Sequence, residues 1–183
     1  MKSLTGWIAT GLVLALGAAA QSEPVQQAFH FPWIEGFGGV AKVPHAVEPP
    51  RAGTKVVFDI TSDTVADKPN KGLESVARYL NLHADAGLAH DQLEAVVVLH
   101  GGATKAALKD EAFARHASHP QNPSLPLIRL LKQAGVKVHV CGQSLARNGF
   151  PTSDVDGDLS IAVSALTVNI NKQRDGFAYV SIH

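Results

Sequence analysis

Among the residue types able to do covalent chemistry, the chain has a single cysteine, Cys141, in the run Val140-Cys141-Gly142-Gln143-Ser144. A thiolate is a strong nucleophile at sulfur, and its formation depends on what surrounds it. Cys141 follows an apolar, strand-like run and precedes a helical turn. Free N–H groups at the start of that turn would point at the sulfur and favour its anion. Backbone N–H groups from Gly142, Gln143 and Ser144 are therefore candidate anion-binding groups. His100 also ends an apolar run and becomes a candidate general base or thiolate partner if the two strands are neighbours. Gly101 and Gly102 follow it, candidates for close backbone approach to a ligand, although a tight turn between strand and helix explains them as well. A small buried hydrophobe is the commoner fate of a cysteine at a strand end, so residue chemistry alone leaves both readings of Cys141 open.

Other chemistries fail on spacing. His100-Gly101-Gly102-Ala103 resembles an esterase oxyanion loop, but the chain has no Gly-x-Ser-x-Gly elbow. Gly101 to Lys105 lacks the glycine spacing of a phosphate loop. His83 with His90, and His116 with His119, lack a third ligand at a familiar spacing, and there is no CxxC or HExxH. Asp154, Asp156 and Asp158 resemble the start of a calcium loop, but Gly157 is misplaced and the closing glutamate is missing, so a solvated turn fits better. No metal or cofactor is expected.

The elements needed to hold these residues follow from periodicity. Lys55 to Ile60 reads as a strand ending in the polar loop Thr61-Ser62-Asp63. Asn70 to Gly87 reads as a helix, with Leu73, Val76, Ala77, Leu80 and Ala84 at helical spacing and Gly87 as its stop. Glu94 to His100 holds a continuous apolar run, Ala95 to Leu99, as in a strand buried on both faces of a parallel sheet. Short helical turns over Ala103–Leu108 and Glu111–His116 lead through the loop His119–Pro123 to a helix ending at Ala134-Gly135. Val136 to Val140 reads as a third strand, Gly142 to Asn148 as a helical turn, and Leu159 to Val163 as a fourth strand. Ser164 to Gln173 reads as a helix and Phe177 to Ile182 as the last strand. Alternating strands and helices imply right-handed crossovers and an α/β fold, and in open parallel sheets sites lie outside the carboxyl ends of the strands. Asp59 to Asp63, His100 to Gly102 and Cys141 to Ser144 are three such ends.

Two segments precede this domain. Residues 1–20 read as a secretory signal peptide, with Lys2 as the charged start, an apolar run from Trp7 to Ala18 and the small-residue site Ala18-Ala19-Ala20. The run is about a dozen residues, short of the roughly 20 that span a bilayer, so no stable membrane insertion is expected after cleavage. A periplasmic or secreted protein is the expectation. In an oxidising compartment a lone thiol is an intermolecular partner, a reactive group or an inert buried side chain. Residues 21–53 hold five of the ten prolines together with Phe29, Phe31, Trp33 and Phe37. Prolines exclude a long helix, and aromatics this dense are unlike a free linker. An irregular N-terminal arm laid across the domain or a neighbouring subunit is expected, with residues 54–183 forming the α/β domain. Without Lys2, 15 basic residues face 16 acidic ones, a formal charge of −1. No nucleic-acid partner is expected, because phosphate binding needs a basic excess or stripe.

The stretch Leu127 to Leu145, ending Val140-Cys141-Gly142-Gln143-Ser144-Leu145, resembles the DsrE/DsrF-like sulfur-relay family. The similarity takes in Val96 to Thr104, Asn122 to Leu127, Ser164 to Thr167 and Asp175 to Tyr179, and so covers residues 54–183. Exported members look closest. The resemblance implies a three-layer α/β/α domain with a mainly parallel five-stranded sheet, and homo-oligomers, often trimers or hexamers. It also implies a sulfurtransferase or sulfur carrier, in which a cysteine at the position of Cys141 accepts sulfane sulfur as a persulfide. A small sulfur compound or a partner thiol protein would be the other reactant. Gly142-Gln143-Ser144 stands where relay proteins tend to carry small apolar residues. The rival reading is a non-catalytic oligomeric protein of the same fold, binding a small ligand or serving a structural role.

Overall fold

The computed structural model describes residues 28–183; the signal-peptide reading of residues 1–20 lies outside them. Five strands form one parallel sheet: β1 (Thr54–Ile60), β2 (Leu93–Leu99), β3 (Lys137–Cys141), β4 (Ser160–Ala162) and β5 (Ala178–Ile182). Their order across the sheet is β4-β3-β2-β1-β5, and every pair is parallel. The connecting helices are α1 (Lys71–Asp85), α2 (Asp110–His116), α3 (Leu125–Gln133), α4 (Gly142–Asn148) and α5 (Ala165–Arg174), with a 3-10 stretch over Gly101–Ala107.

Alternation along the strands divides the core. Val56, Phe58 and Ile60 of β1, Val97 and Leu99 of β2, and Val138 and Val140 of β3 pack with Leu73, Val76 and Leu80 of α1 and Leu127, Ile128 and Leu131 of α3. The opposite face carries Val57, Val96, Val98 and Cys141, covered by Ala165 and Val168 of α5 together with Phe177. Helices on both faces make this an α/β/α sandwich, and burial on both faces explains why β2 is apolar at every position from Ala95 to Leu99.

The path of the chain fixes where a site can form. From β1 to β4 the strands are added in one direction, and Leu145 of α4 joins the same core as α1 and α3. The chain then returns from β4 to β5, on the far side of β1, and crossovers of one hand place that return on the opposite face. Helix α5 makes it. Between β3 and β4, therefore, successive helices leave toward opposite faces, which is a topological switch point. Cys141 is the last residue of β3 and pairs with Ala162 of β4 at that point.

Local chemistry sets the helix starts. Asn70 caps α1, its side-chain oxygen accepting from the backbone N–H of Gly72 at 2.9 Å and of Leu73 at 3.3 Å. Gly72 is required by the packing, since a Cβ there would lie 2.3 Å from Ile60 Cγ2. Ser164 caps α5 through Leu166 N–H at 3.2 Å.

The described part of the arm, residues 28–53, lies against α1 of its own domain. Asn81 of α1 accepts from Trp33 N–H at 2.9 Å and Ile34 N–H at 2.8 Å, and donates to the carbonyls of Phe37 at 2.9 Å and Gly38 at 3.0 Å. Ile34 is buried in the core beside α1 and Trp33 stacks on His90 with ring centroids 3.9 Å apart. Phe29 stays 65% exposed.

Candidate functional site

Parity along the strands gathers the site. Cys141 lies two residues beyond His139, opposite in parity to Val138 and Val140, and so faces α5. By the same alternation Asp59 and His100 face that side of the sheet. The register Ile60↔Leu99 and Leu99↔Val140 places His100, one residue past β2, level with Cys141 on the adjacent strand. His100 Nε2 stands 2.7 Å from Asp59 Oδ1. The contact is not aligned as a conventional hydrogen bond and is best described as a close ion pair. Tyr179, from edge strand β5, donates its hydroxyl to Asp59 Oδ2 at 2.7 Å. Four strands thus contribute to one row: Tyr179, Asp59, His100 and Cys141.

These residues line a cavity of about 470 Å³. Gln143, Ser144 and Arg147 of α4 form part of its wall; Ala165, Leu166, Asn169, Ile170 and Gln173 of α5 form another part, beside the cap residue Ser164. Cys141 lines it although only 4% exposed.

The electrostatics of the row follow from its contacts. Burial pushes the Cys141 thiol up, but the backbone N–H of Ala165, the Ser144 hydroxyl and the backbone N–H groups of Ser144 and Gln143 act on the sulfur and outweigh it. The net result is a thiol below its ordinary value. Ser144 Oγ is itself held by an N–H from Gly101 at 3.3 Å. Asp59 is 6% exposed, and burial alone would raise it. The close contact with His100, the Asn169 side chain and the hydroxyl bond from Tyr179 reverse that and hold the carboxyl at about 2. The Asp59 contact raises His100 above its usual value against the effect of burial, and attraction to Asp59 and Cys141 adds to it.

The sequence candidates separate in space. Cys141, His100, Gln143 and Ser144 share the cavity. Gly101 and Gly102 line a different one, of about 540 Å³, with Asp63, Thr64, Val65, Lys105 and Asn148. A Cβ on Gly102 would come within 2.0 Å of Asp63 Oδ1, so glycine lets this turn pass the β1 loop. Gly142 does not line the Cys141 cavity; a Cβ there would stand 3.0 Å from the Ala162 carbonyl. Among the described residues there is no metal-binding cluster. Asp154, Asp156 and Asp158 pair instead with Arg115, Arg129 and Lys132.

Three contributors were not singled out by sequence pattern. Asp59 leaves a signal, a lone charge inside the apolar run Val56 to Ile60, but the pattern marks it only as lying at a strand end. Tyr179 and Asn169 leave none, because each reaches the site by packing across the fold.

The model of the DsrE/DsrF-like family matches residues 55–182, from the start of β1 to the end of β5. The chain belongs to the DsrE/DsrF-like family. A solved structure of a protein of unknown function from Methanobacterium thermoautotrophicum is 20% identical, with a TM-score of 0.47, over 70% of this chain and 99% of its own. No curated protein sequence matches the chain. For a DsrE/DsrF-like protein the five-stranded parallel sheet with helices on both faces is the expected fold, and a sulfur-relay-type role is the coarse expectation.

Proposed function

We propose that this protein carries sulfane sulfur as a persulfide on Cys141. The observation that supports it most is the position of Cys141 at the N-cap of α4, in the wall of a cavity it shares with His100, Ser144 and Ala165, where neighbouring N–H groups and the Ser144 hydroxyl hold the thiol below its ordinary value. Such a cradle stabilises a thiolate, the form that attacks sulfur. In the forward step the Cys141 thiolate attacks the outer sulfur of a donor R–S–SH. The new Cys141 S–S bond forms, the donor S–S bond breaks, and its electron pair leaves with RS⁻, which takes a proton from the His100 imidazolium. The products are Cys141–S–SH, RSH and neutral His100; no external oxidant is needed. Delivery is the same exchange run toward an acceptor thiol. A cavity of about 470 Å³ leaves room for more than one sulfur atom beside Cys141.

The setting belongs to the same proposal: residues 1–20 direct export, and the exported protein works as a homo-oligomer. One observation favours the rival ligand-binding reading, the near-complete burial of Cys141. A loading and unloading assay separates the two. The protein is treated with inorganic polysulfide, freed of excess and then given a low-mass thiol. The sulfur-carrier reading expects about one sulfide released per chain, with none from Cys141→Ser, because the persulfide sulfur is the reducible one. Equal release from both proteins would refute it.

A further inference from the structure

Asp59 occupies a position that ordinarily excludes it. β1 is paired on both sides and buried from Val56 to Ile60, and a carboxylate in such a strand is costly unless it is partnered. Partners reach Asp59 from three other elements. Tyr179 of β5 gives its hydroxyl to Oδ2 at 2.7 Å, His100 beyond β2 places Nε2 2.7 Å from Oδ1, and the Asn169 side chain of α5, in the wall of the same cavity, favours the charged carboxylate. Stability is a poor explanation for this cluster, since apolar residues commonly fill a buried ionic site at least as well. The arrangement also has a direction. It ends on the His100 ring, level with Cys141 and in the wall of the same cavity.

We propose that Asp59, clamped by Tyr179 from the edge strand, is the positioning residue that fixes the His100 ring beside Cys141 and sets the charge state of the thiol–imidazole couple. A carboxylate touching one ring nitrogen selects which nitrogen carries the proton and orients the other. Tyr179 occupies the second carboxylate oxygen, so Asp59 turns its first toward His100. The titratable and charged groups on this side of the sheet are Asp59 on β1, Tyr179 on β5, His139 and Cys141 on β3, Arg147 on α4 and Lys172 on α5, which acts on His139; α5 also contributes the neutral Asn169 and Gln173. Asp59 is in contact with His100 and favours a positive charge on its ring. The direction of the His100 shift agrees. The inference rests on the sulfur-carrier reading only for what the thiolate is used for.

The test uses the full chain and its Asp59→Asn and Tyr179→Phe variants. Two quantities are followed against pH: the His100 imidazole by nuclear magnetic resonance, and the alkylation rate of Cys141. In Asp59→Asn the His100 midpoint should fall and the thiol midpoint rise, each by about one pH unit or more, a tenfold change in proton affinity. Tyr179→Phe should move both the same way by less, and it keeps the proposal falsifiable if Asp59→Asn does not fold. A purely structural role would lower the melting temperature and leave both midpoints in place. Unmoved midpoints in folded Asp59→Asn, or in Tyr179→Phe if that is the only folded variant, would overturn the clamp. The sulfur-carrier reading fails separately: wild-type protein that takes up no sulfur while the midpoints move as expected overturns that reading and supports the clamp.

Discussion

A buried thiol must overcome its own desolvation before it ionises, and at Cys141 the compensation comes from groups already held in place by α4 and α5. Ser144 is the side chain among them. Ser144→Ala should raise the thiol midpoint and slow alkylation at neutral pH by roughly tenfold or more, the worth of one hydrogen bond to a charged group. Alkylation rate against pH measures it; an unchanged midpoint would show that the backbone N–H groups suffice. The Asp59–His100 pair makes a second prediction, about stability. Asp59 is held at about 2, below its ordinary 3.8, so its contribution is present above the ordinary value and is lost as pH falls toward the lower one. His100 is raised, so its contribution is present below its ordinary value and is lost as pH rises through the folded one. Asp59→Asn should flatten both limbs of a stability–pH curve from urea unfolding, the acid limb by on the order of 2 kcal/mol. Parallel curves for the two proteins would contradict the pairing.

At the scale of elements, one piece of chain geometry makes the site: helices leave β3 and β4 toward opposite faces, and their N-terminal turns meet over Cys141. The strands were legible because burial on both faces leaves unbroken apolar runs, as from Ala95 to Leu99. Helix α1 was legible because its apolar residues keep helical spacing up to Gly87. Cys141 and His100 could be suspected as strand-end residues, but their adjacency required the strand order, which periodicity does not contain. Tyr179 lies 120 residues from Asp59 along the chain, beyond any local pattern. The arm shows the same limit. Its aromatics pointed to packing, yet Phe29 is largely exposed and the anchors are Ile34 and the amide of Asn81. Asn81→Ala would leave five backbone groups of the arm without that partner and should cost about 2–4 kcal/mol. Limited proteolysis should then cut within residues 28–53 before the sheet is attacked. Cleavage no faster than in the wild type would show that Ile34 and Trp33 hold the arm without it.

At the scale of the whole molecule, the two sides of the sheet are unequally finished. Beside β4 and along α5, Val163 is 75% exposed and Leu166 67%, with Ile161 and Ile170 also open to solvent. Apolar side chains clustered in this way usually mark an interface. We propose that copies of the chain associate through this side. Sedimentation of the mature protein should show a species larger than a monomer, and Leu166→Glu should shift it toward one by placing an unpaired charge in the contact. A monomeric wild type at micromolar concentration would rule the association out. Acceptance of sulfur by native Cys141 is read in the intact mass of the folded protein after polysulfide treatment. The wild type should gain about 32 Da, one sulfur atom, and Cys141→Ser none. A native protein that gains no mass, with a thiol that reacts only after unfolding, would contradict it.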